Sequence, residues 1–230
     1  MGVRVIVYDF FSGTGSATKA FEDRGHTVIK VELDPYFEAD ERDILTLNAN
    51  ELISKYGPPD FIWASPPCTT FSVASIGRHW NIDKTPKTEA ATLGIKLVAY
   101  TLNLINQLKP KLGWLMENPR GMLRNQAIVS HLPRRTITYC SYGDFRMKPT
   151  DLWGYLEGWN SKPACKNGDK CHQSAPRGSR TGTQGLNGAK TRSMIPIQLS
   201  KEICEMVEDI YPIWRDVDDH MDMPDGMELE

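Results

Sequence analysis

Two short segments carry the side chains best suited to chemistry. Ser65-Pro66-Pro67-Cys68 ends on a thiol held by a turn that two prolines stiffen. A thiolate presented this way suits nucleophilic attack, while a lone cysteine also reads as a small buried residue of structural use. Glu117-Asn118-Pro119 places a carboxyl after a short apolar run. That carboxyl either faces the same crevice as Cys68 or is a salt-bridged edge residue. A third segment, Phe11-Ser12-Gly13-Thr14-Gly15, has two glycines that let the backbone turn tightly and approach a ligand. Glu32 suits the two hydroxyls of a ribose or stands as a surface acid, and Asp43-Ile44 suits the amino group and face of an adenine.

These residues need elements to position them. Val3 to Tyr8 is a β-branched apolar run and predicts a buried strand, followed by the Gly-rich turn and a helix from Ala17 to Asp23. Thr27 to Leu33, Phe61 to Ala64, Trp114 to Met116 and Thr136 to Cys140 predict further strands. Leu93, Leu97, Tyr100, Leu104 and Leu108 recur at helical spacing and predict a helix over 89–108 that Pro110 ends. Ser200 is the expected N-cap of a last helix over 201–211. Strands alternating with helices predict an α/β sheet with mostly parallel strands. Ligands of such sheets bind at the carboxyl ends of the strands, where Gly13, Cys68 and Glu117 all fall.

Composition excludes several classes. The chain has 230 residues, 40% hydrophobic and 24% charged, so it is neither fibrous nor wholly disordered. No apolar run is long enough to span a bilayer, and the N-terminus lacks the features of a signal peptide. Five cysteines do not suggest a disulfide framework and point to a reducing, cytoplasmic setting. The formal charge of −2 divides into −3 over residues 1–108, +11 over 109–201 and −10 over 202–230. The basic block suggests a face for a polyanion, and the acids that follow suggest a tail from Asp216.

In order and spacing, DFFSGTGSATKAF, VELDP, DI, SPPCTTFS and ENPRG resemble the DNA cytosine-5 methyltransferases, in their compact phage or prokaryotic form. The resemblance covers residues 5–150 and resumes at Arg192-Ser193-Met194-Ile195-Pro196. It implies a Rossmann-like methyltransferase fold using S-adenosyl-L-methionine, with a small irregular basic insertion for target recognition. The implied partner is double-stranded DNA, with the protein acting as a monomer in the host cytoplasm if phage-encoded.

For the cofactor, the resemblance implies Asp9, Phe11, Ser12, Gly13, Thr14, Gly15, Glu32, Leu33, Asp43, Ile44, Pro66 and Ser193. For the chemistry it implies that a flipped cytosine receives Cys68 at C6, that Glu117 holds N3 and the amino group, and that Asn118 orients the site. The family's usual Gln-x-Arg-x-Arg segment is replaced by Tyr142 to Thr150, leaving Arg146 or Lys148 as the cation for cytosine O2 or a phosphate. Ser72, Arg78, His79 and Trp80, after the Cys, are expected at the DNA, one of the last three filling the gap left by the flipped base. A tRNA-type RNA cytosine-5 methyltransferase, or a C5 transferase with a modified sulfonium cofactor, fits the same residues.

The expected organisation is a catalytic domain over 1–151 and 193–215, a recognition region over 152–192 and an acidic tail over 216–230. The recognition region holds seven Lys/Arg against two acids, Arg177 and Arg180 among them, which suits DNA contact. Its small size predicts a short or relaxed sequence preference. Cys165, Cys171 and His172, with Cys140, are the residues a zinc ion would take. Their spacing is not a common zinc pattern, so a metal-free loop is the expectation.

Overall fold

The computed structural model describes residues 3–173 and 188–220. The elements are β1 (Ile6–Phe10), α1 (Lys19–Asp23), β2 (Thr27–Val31), α2 (Ala49–Tyr56), β3 (Phe61–Ala64), α3 (Ile76–His79), α4 (Glu89–Leu108), β4 (Gly113–Pro119), α5 (Ala127–Ser130), β5 (Arg134–Thr138), β6 (Pro149–Leu156), α6 (Ala189–Ser193) and α7 (Ile197–His220). One six-stranded sheet runs in the order β2-β1-β3-β4-β6-β5. The pairings among β2, β1, β3 and β4 are parallel, and β6 is antiparallel to both its neighbours.

Both faces of the central strands are covered, so their residues are apolar without alternation. On one face Tyr8, Phe10, Ile62, Ala64 and Met116 pack with α2 and α4. On the other Val5, Val7, Phe61, Trp63 and Leu115 pack with Phe21 of α1 and with Leu199, Ile203 and Val207 of α7.

Several expectations shift here. The helix α4 has the expected ends, capped by Thr88, whose Oγ1 accepts from the Ala91 amide. Leu104 and Leu108 are buried as expected, but the rest of the buried face runs through Ala91, Gly94, Val98, Thr101 and Ile105, and Leu93 is half exposed. Ser200 is not an N-cap but lies inside α7, where its Oγ accepts from the Ala20 amide. The strand β6 runs to Leu156, so the sheet extends past the expected boundary at 151. The expected tail begins within α7, whose backbone is helical to His220, and 221–230 lie outside the described residues.

The topology also sets the site. Strand order reverses between β1 and β3, and the crevice at such a point opens at the carboxyl strand ends. Because β5 runs parallel to β4 and β6 runs against it, the end of β5 and the start of β6 reach that same edge. No helix among the described residues is long and apolar enough to cross a membrane.

Candidate active site

The cradle after β1 is built from unusual backbone. Phe11 has φ of 62°, Gly13 49° and Gly15 68°, so the chain turns three times through the left-handed region. The Phe11 and Ser12 amides donate to the Val31 carbonyl at 2.8 and 3.1 Å, tying the turn to β2. Glu32 closes it from below. Its Oε2 accepts from the Gly13 amide at 2.8 Å and its Oε1 from the Asp34 amide at 2.9 Å. Beneath the turn, Asp9 is fully buried, with Oδ2 accepting from Thr18 Oγ1 at 2.6 Å and Oδ1 without a partner. Burial pushes its carboxyl up to about 7. Ser12 Oγ is also buried and unpartnered. Orphaned polar atoms beside a glycine-lined turn fit a polar ligand.

The remaining residues assigned to the cofactor divide. Leu33 is two-thirds exposed beside Glu32, open to a ligand's face. Asp43 Oδ1 accepts from the Leu45 amide, capping the short turn Ile44–Thr46. Ile44 is buried in the core cluster with residues of β1 and β2, so little of its face is exposed in this structure. Pro66 is buried and its carbonyl accepts from Asn118 Nδ2 at 2.8 Å. Thr14 lies half-buried in the turn. Ser193 is exposed with Oγ donating to the Lys190 carbonyl. The segment after it joins the cradle where the Ile195 amide donates to Ser16 Oγ at 2.9 Å.

Cys68 follows β3 at the next strand end and is half-buried. Burial and the nearby Glu117 charge push its thiol up, while Lys148 and Arg192 pull it down. Glu117 is buried on β4, and burial pushes its carboxyl up against the opposing pull of Lys148. Tyr139, just past β5, donates from Oη to Glu117 Oε1 at 3.1 Å and accepts from Lys148 Nζ at 3.2 Å. Lys148, just before β6, sits at the strained φ of 25° and also donates to the Arg192 carbonyl at 3.0 Å. Burial holds its ammonium below the usual lysine range. Tyr139 thus links the Glu117 carboxyl to the Lys148 ammonium, and both lie close enough to act on the Cys68 thiol electrostatically.

Of the two candidate cations only Lys148 is at this site. Arg146 is committed elsewhere: its Nε donates to Asp144 Oδ1 at 2.9 Å, its Nη2 also pairs with Asp144, and its other donors reach the carbonyls of Thr191, Arg192 and Met194. It is a buried clamp joining the 144–148 turn to the segment before α7. Tyr139, Asp144 and Thr18 were missed by the sequence reading, which had only the spacing of Arg146 and Lys148 to follow. Gly121 was quoted but not singled out. A Cβ there would sit 2.2 Å from the Phe71 carbonyl, so glycine is what lets the chain after Glu117 lie on the chain after Cys68.

The segment after Cys68 carries two further corrections. Trp80 is buried against Phe71 and donates from Nε1 to the Thr70 carbonyl at 2.7 Å. His79 is buried with Nδ1 at 2.8 Å from Thr88 Oγ1. In this structure both side chains pack inside the fold instead of standing at its surface, Trp80 with its indole N–H bonded and His79 with Nδ1 bonded. Arg78 is exposed, as are Val73 and Ile82, and Ser72 Oγ lies 3.0 Å from Ser75 Oγ. Arg177 and Arg180 lie outside the described residues.

Against expectation, the four sulfur and imidazole residues converge. The ligand atoms of Cys140, Cys165, Cys171 and His172 all lie within 4.8 Å of one another.

Residues 5–132 match the C-5 cytosine-specific DNA methylase family. A probable DNA (cytosine-5)-methyltransferase of Frog virus 3 (isolate Goorha) is 32% identical over 171 residues, 72% of this chain and 77% of the relative. Among solved structures, the Entamoeba histolytica methyltransferase EhMeth superposes with a TM-score of 0.51 at 13% identity, over 70% of this chain and 55% of that one. The S. pombe Dnmt2 methyltransferase gives 0.47 at 13% identity, over 69% and 52%. The chain spans about half the length of these two structures.

Proposed function

The chain belongs to the C-5 cytosine-specific DNA methylase family and is a cytosine-5 methyltransferase, and we propose that it acts on double-stranded DNA with S-adenosyl-L-methionine as donor and Cys68 as nucleophile. The observation that carries this reading is the meeting of Cys68, buried Glu117 and Lys148 beside the glycine cradle at the sheet's switch point.

When bound, S-adenosyl-L-methionine supplies an electrophilic methyl group. The turn from Phe11 to Gly15 would hold it, with Glu32 for the ribose hydroxyls, Asp43 for the adenine amino group and the exposed side of Leu33 for the base. The orphaned atoms of Asp9 and Ser12 fit the polar end of such a ligand.

The chain's own part begins with a cytosine turned out of the stack. Cys68 loses its proton and its sulfur bonds to C6, while Glu117 in its acid form donates a proton to N3. Burial favours that acid form, against the opposing pull of Lys148 and the Tyr139 hydrogen bond. The electron pair of the C5–C6 bond then becomes available at C5 for the methyl group. A solvent water takes the C5 proton, the C5–H electron pair reforms the C5–C6 double bond as the Cys68 sulfur leaves with the C6–S pair, and the N3 proton returns to Glu117. Lys148 favours the thiolate electrostatically and offers a donor for cytosine O2. Asn118, held on the Pro66 carbonyl, joins the strand carrying Glu117 to the turn carrying Cys68. Exposed Arg78, with Val73 and Ile82, gives the segment after Cys68 a cation and apolar tips for the duplex. The odd number of cysteines, without a disulfide framework in their spacing, suits a reducing, cytoplasmic setting.

The test is mass spectrometry of nucleosides from duplex DNA incubated with S-adenosyl-L-methionine and either wild type or Cys68→Ser. The expected product, 5-methylcytosine, appears with wild type alone. Modification of tRNA and not of duplex DNA would replace the substrate, and a product at an exocyclic amine would overturn the role of Cys68.

A further inference from the structure

Among the described residues, a cluster of metal-ligating side chains lies outside the site already described, where the recognition region leaves the sheet. Cys140 belongs to the turn Tyr139–Tyr142, and Cys165, Cys171 and His172 lie on the segment after β6. Cys171 Sγ is 3.7 Å from Cys140 Sγ, His172 Nδ1 is 3.6 Å from Cys165 Sγ and 3.4 Å from Cys171 Sγ, and Cys140 Sγ is 3.0 Å from Cys165 Sγ. Zinc bound tetrahedrally has Zn–S of about 2.3 Å and Zn–N of about 2.0 Å, which sets S···S edges of about 3.8 Å and S···N edges of about 3.5 Å. Three of the four measured edges fall within about 0.2 Å of these values, and the fourth is closer than a tetrahedron needs yet far longer than a disulfide.

We propose that Cys140, Cys165, Cys171 and His172 form a structural zinc site that fastens the recognition region to the catalytic sheet. The geometry answers the objection from spacing. Adjacent Cys171 and His172 both reach one point because the chain turns there, and the fourth ligand comes from a separate element. The surroundings are prepared as well. The Cys165 amide donates to Thr138 Oγ1 at 3.0 Å, Ser141 Oγ donates to the Pro163 carbonyl at 2.9 Å, and the Gln173 amide donates to the Phe145 carbonyl at 3.0 Å. Each bond spans the same joint. Three thiolates and one neutral imidazole around a divalent ion leave one negative charge, which the basic segment carrying Lys162, Lys166 and Lys170 suits. All four positions are filled by protein, so the site has no room for a reactive water and its role is to hold the fold. The second such cluster, His26, Cys204 and Glu208, is different. There Glu208 already pairs with Arg24 and His26, so its charge is balanced without an ion.

The experiment is metal analysis of the full chain, purified without chelator from zinc-supplemented cells. About one zinc per chain is expected. Cys165→Ser, Cys171→Ser and His172→Ala should each lower it at least tenfold, while Cys68→Ser and Cys204→Ser retain it. Exchange of the wild type with cobalt(II) should give the visible bands of a tetrahedral thiolate site. That readout stands alone if the ligand variants prove insoluble, and it is independent of methyl transfer. Wild type carrying less than about a tenth of a zinc per chain and giving no such cobalt bands would overturn the proposal. So would a Cys140–Cys165 disulfide in protein prepared without oxygen.

Discussion

Asp9 gives the sharpest test of how the cofactor cradle is built. Its carboxyl is fully buried, with one oxygen on Thr18 and the other unpartnered, and burial raises it from 3.8 to about 7. Between about pH 4 and pH 7 the unfolded chain has released this proton while the folded chain keeps it. The unfolded state then binds fewer protons, so stability falls as pH rises through that window. At about 1.4 kcal/mol per tenfold change in proton affinity, the full cost above pH 7 is on the order of 4 kcal/mol. Asp9→Asn removes the titration and keeps an oxygen for the Thr18 hydroxyl. The stability difference between variant and wild type, from urea denaturation, should therefore grow in the variant's favour by roughly 3 kcal/mol between pH 5 and pH 8. Glu117 and Asp60, also raised by burial, are present in both proteins and cancel. A change below about 1 kcal/mol would mean that Asp9 ionises normally when folded and that the orphaned oxygen is solvated.

Other outcomes follow from the same structure. Single-turnover methylation should climb with pH into the alkaline range, since burial and Glu117 raise the Cys68 thiol, and Lys148→Met should move that limb further up by removing the charge that favours the thiolate; a limb that stays put would remove Lys148 from the site. Trp80→Ala should cost about 3–5 kcal/mol of stability in denaturant titration, as an emptied core site does, whereas a tryptophan serving only at the DNA would leave stability unchanged. Arg146→Ala removes a buried guanidinium that pairs with half-buried Asp144 and holds three carbonyls, and should cost on the order of 2–3 kcal/mol; loss of activity at full stability would return Arg146 to the chemistry.

The parts of the fold legible in the sequence were those whose signals are local. The strand β3 and the helix α4 have the expected ends because a short apolar run and a capped periodic run each state their own limits. The buried face of α4 was misjudged because Leu93 was counted as core, while the face that packs includes Gly94, where a Cβ would come within 3.0 Å of Thr70 Oγ1. The strand β6 was hidden by Pro149, Asp151 and Gly154, residues that argue against a strand in isolation. Asp151 is tolerated there because Arg124 Nε donates to it at 2.8 Å across the sheet edge. Trp80 was expected at the DNA because its loop is rich in Arg, His and Lys, and nothing local in that loop marks it as a core residue packed on Phe71. The chemistry was legible at Cys68 and Glu117, which sit on strand ends. Tyr139 was not, because nothing local marks a tyrosine as the donor to a carboxylate 22 positions away.

One peptide bond joins the two halves of this architecture. Tyr139 donates to Glu117 inside the crevice, and Cys140, the next residue, belongs to the four-ligand cluster. The turn carrying both is short, with its ends fixed by β5 and by Gly143 in the left-handed conformation. A shift of the cluster therefore cannot be absorbed before it reaches the hydroxyl that holds Glu117. If zinc fastens the recognition region as proposed, its removal should loosen that region and also weaken the Tyr139–Glu117 bond. Methylation would then lose rate as well as DNA affinity. Tyr139→Phe separates the two effects, since it breaks the bond without touching the cluster. It should lower the rate while leaving zinc content and DNA affinity at wild-type values, and a loss of zinc in that variant would refute this division of roles.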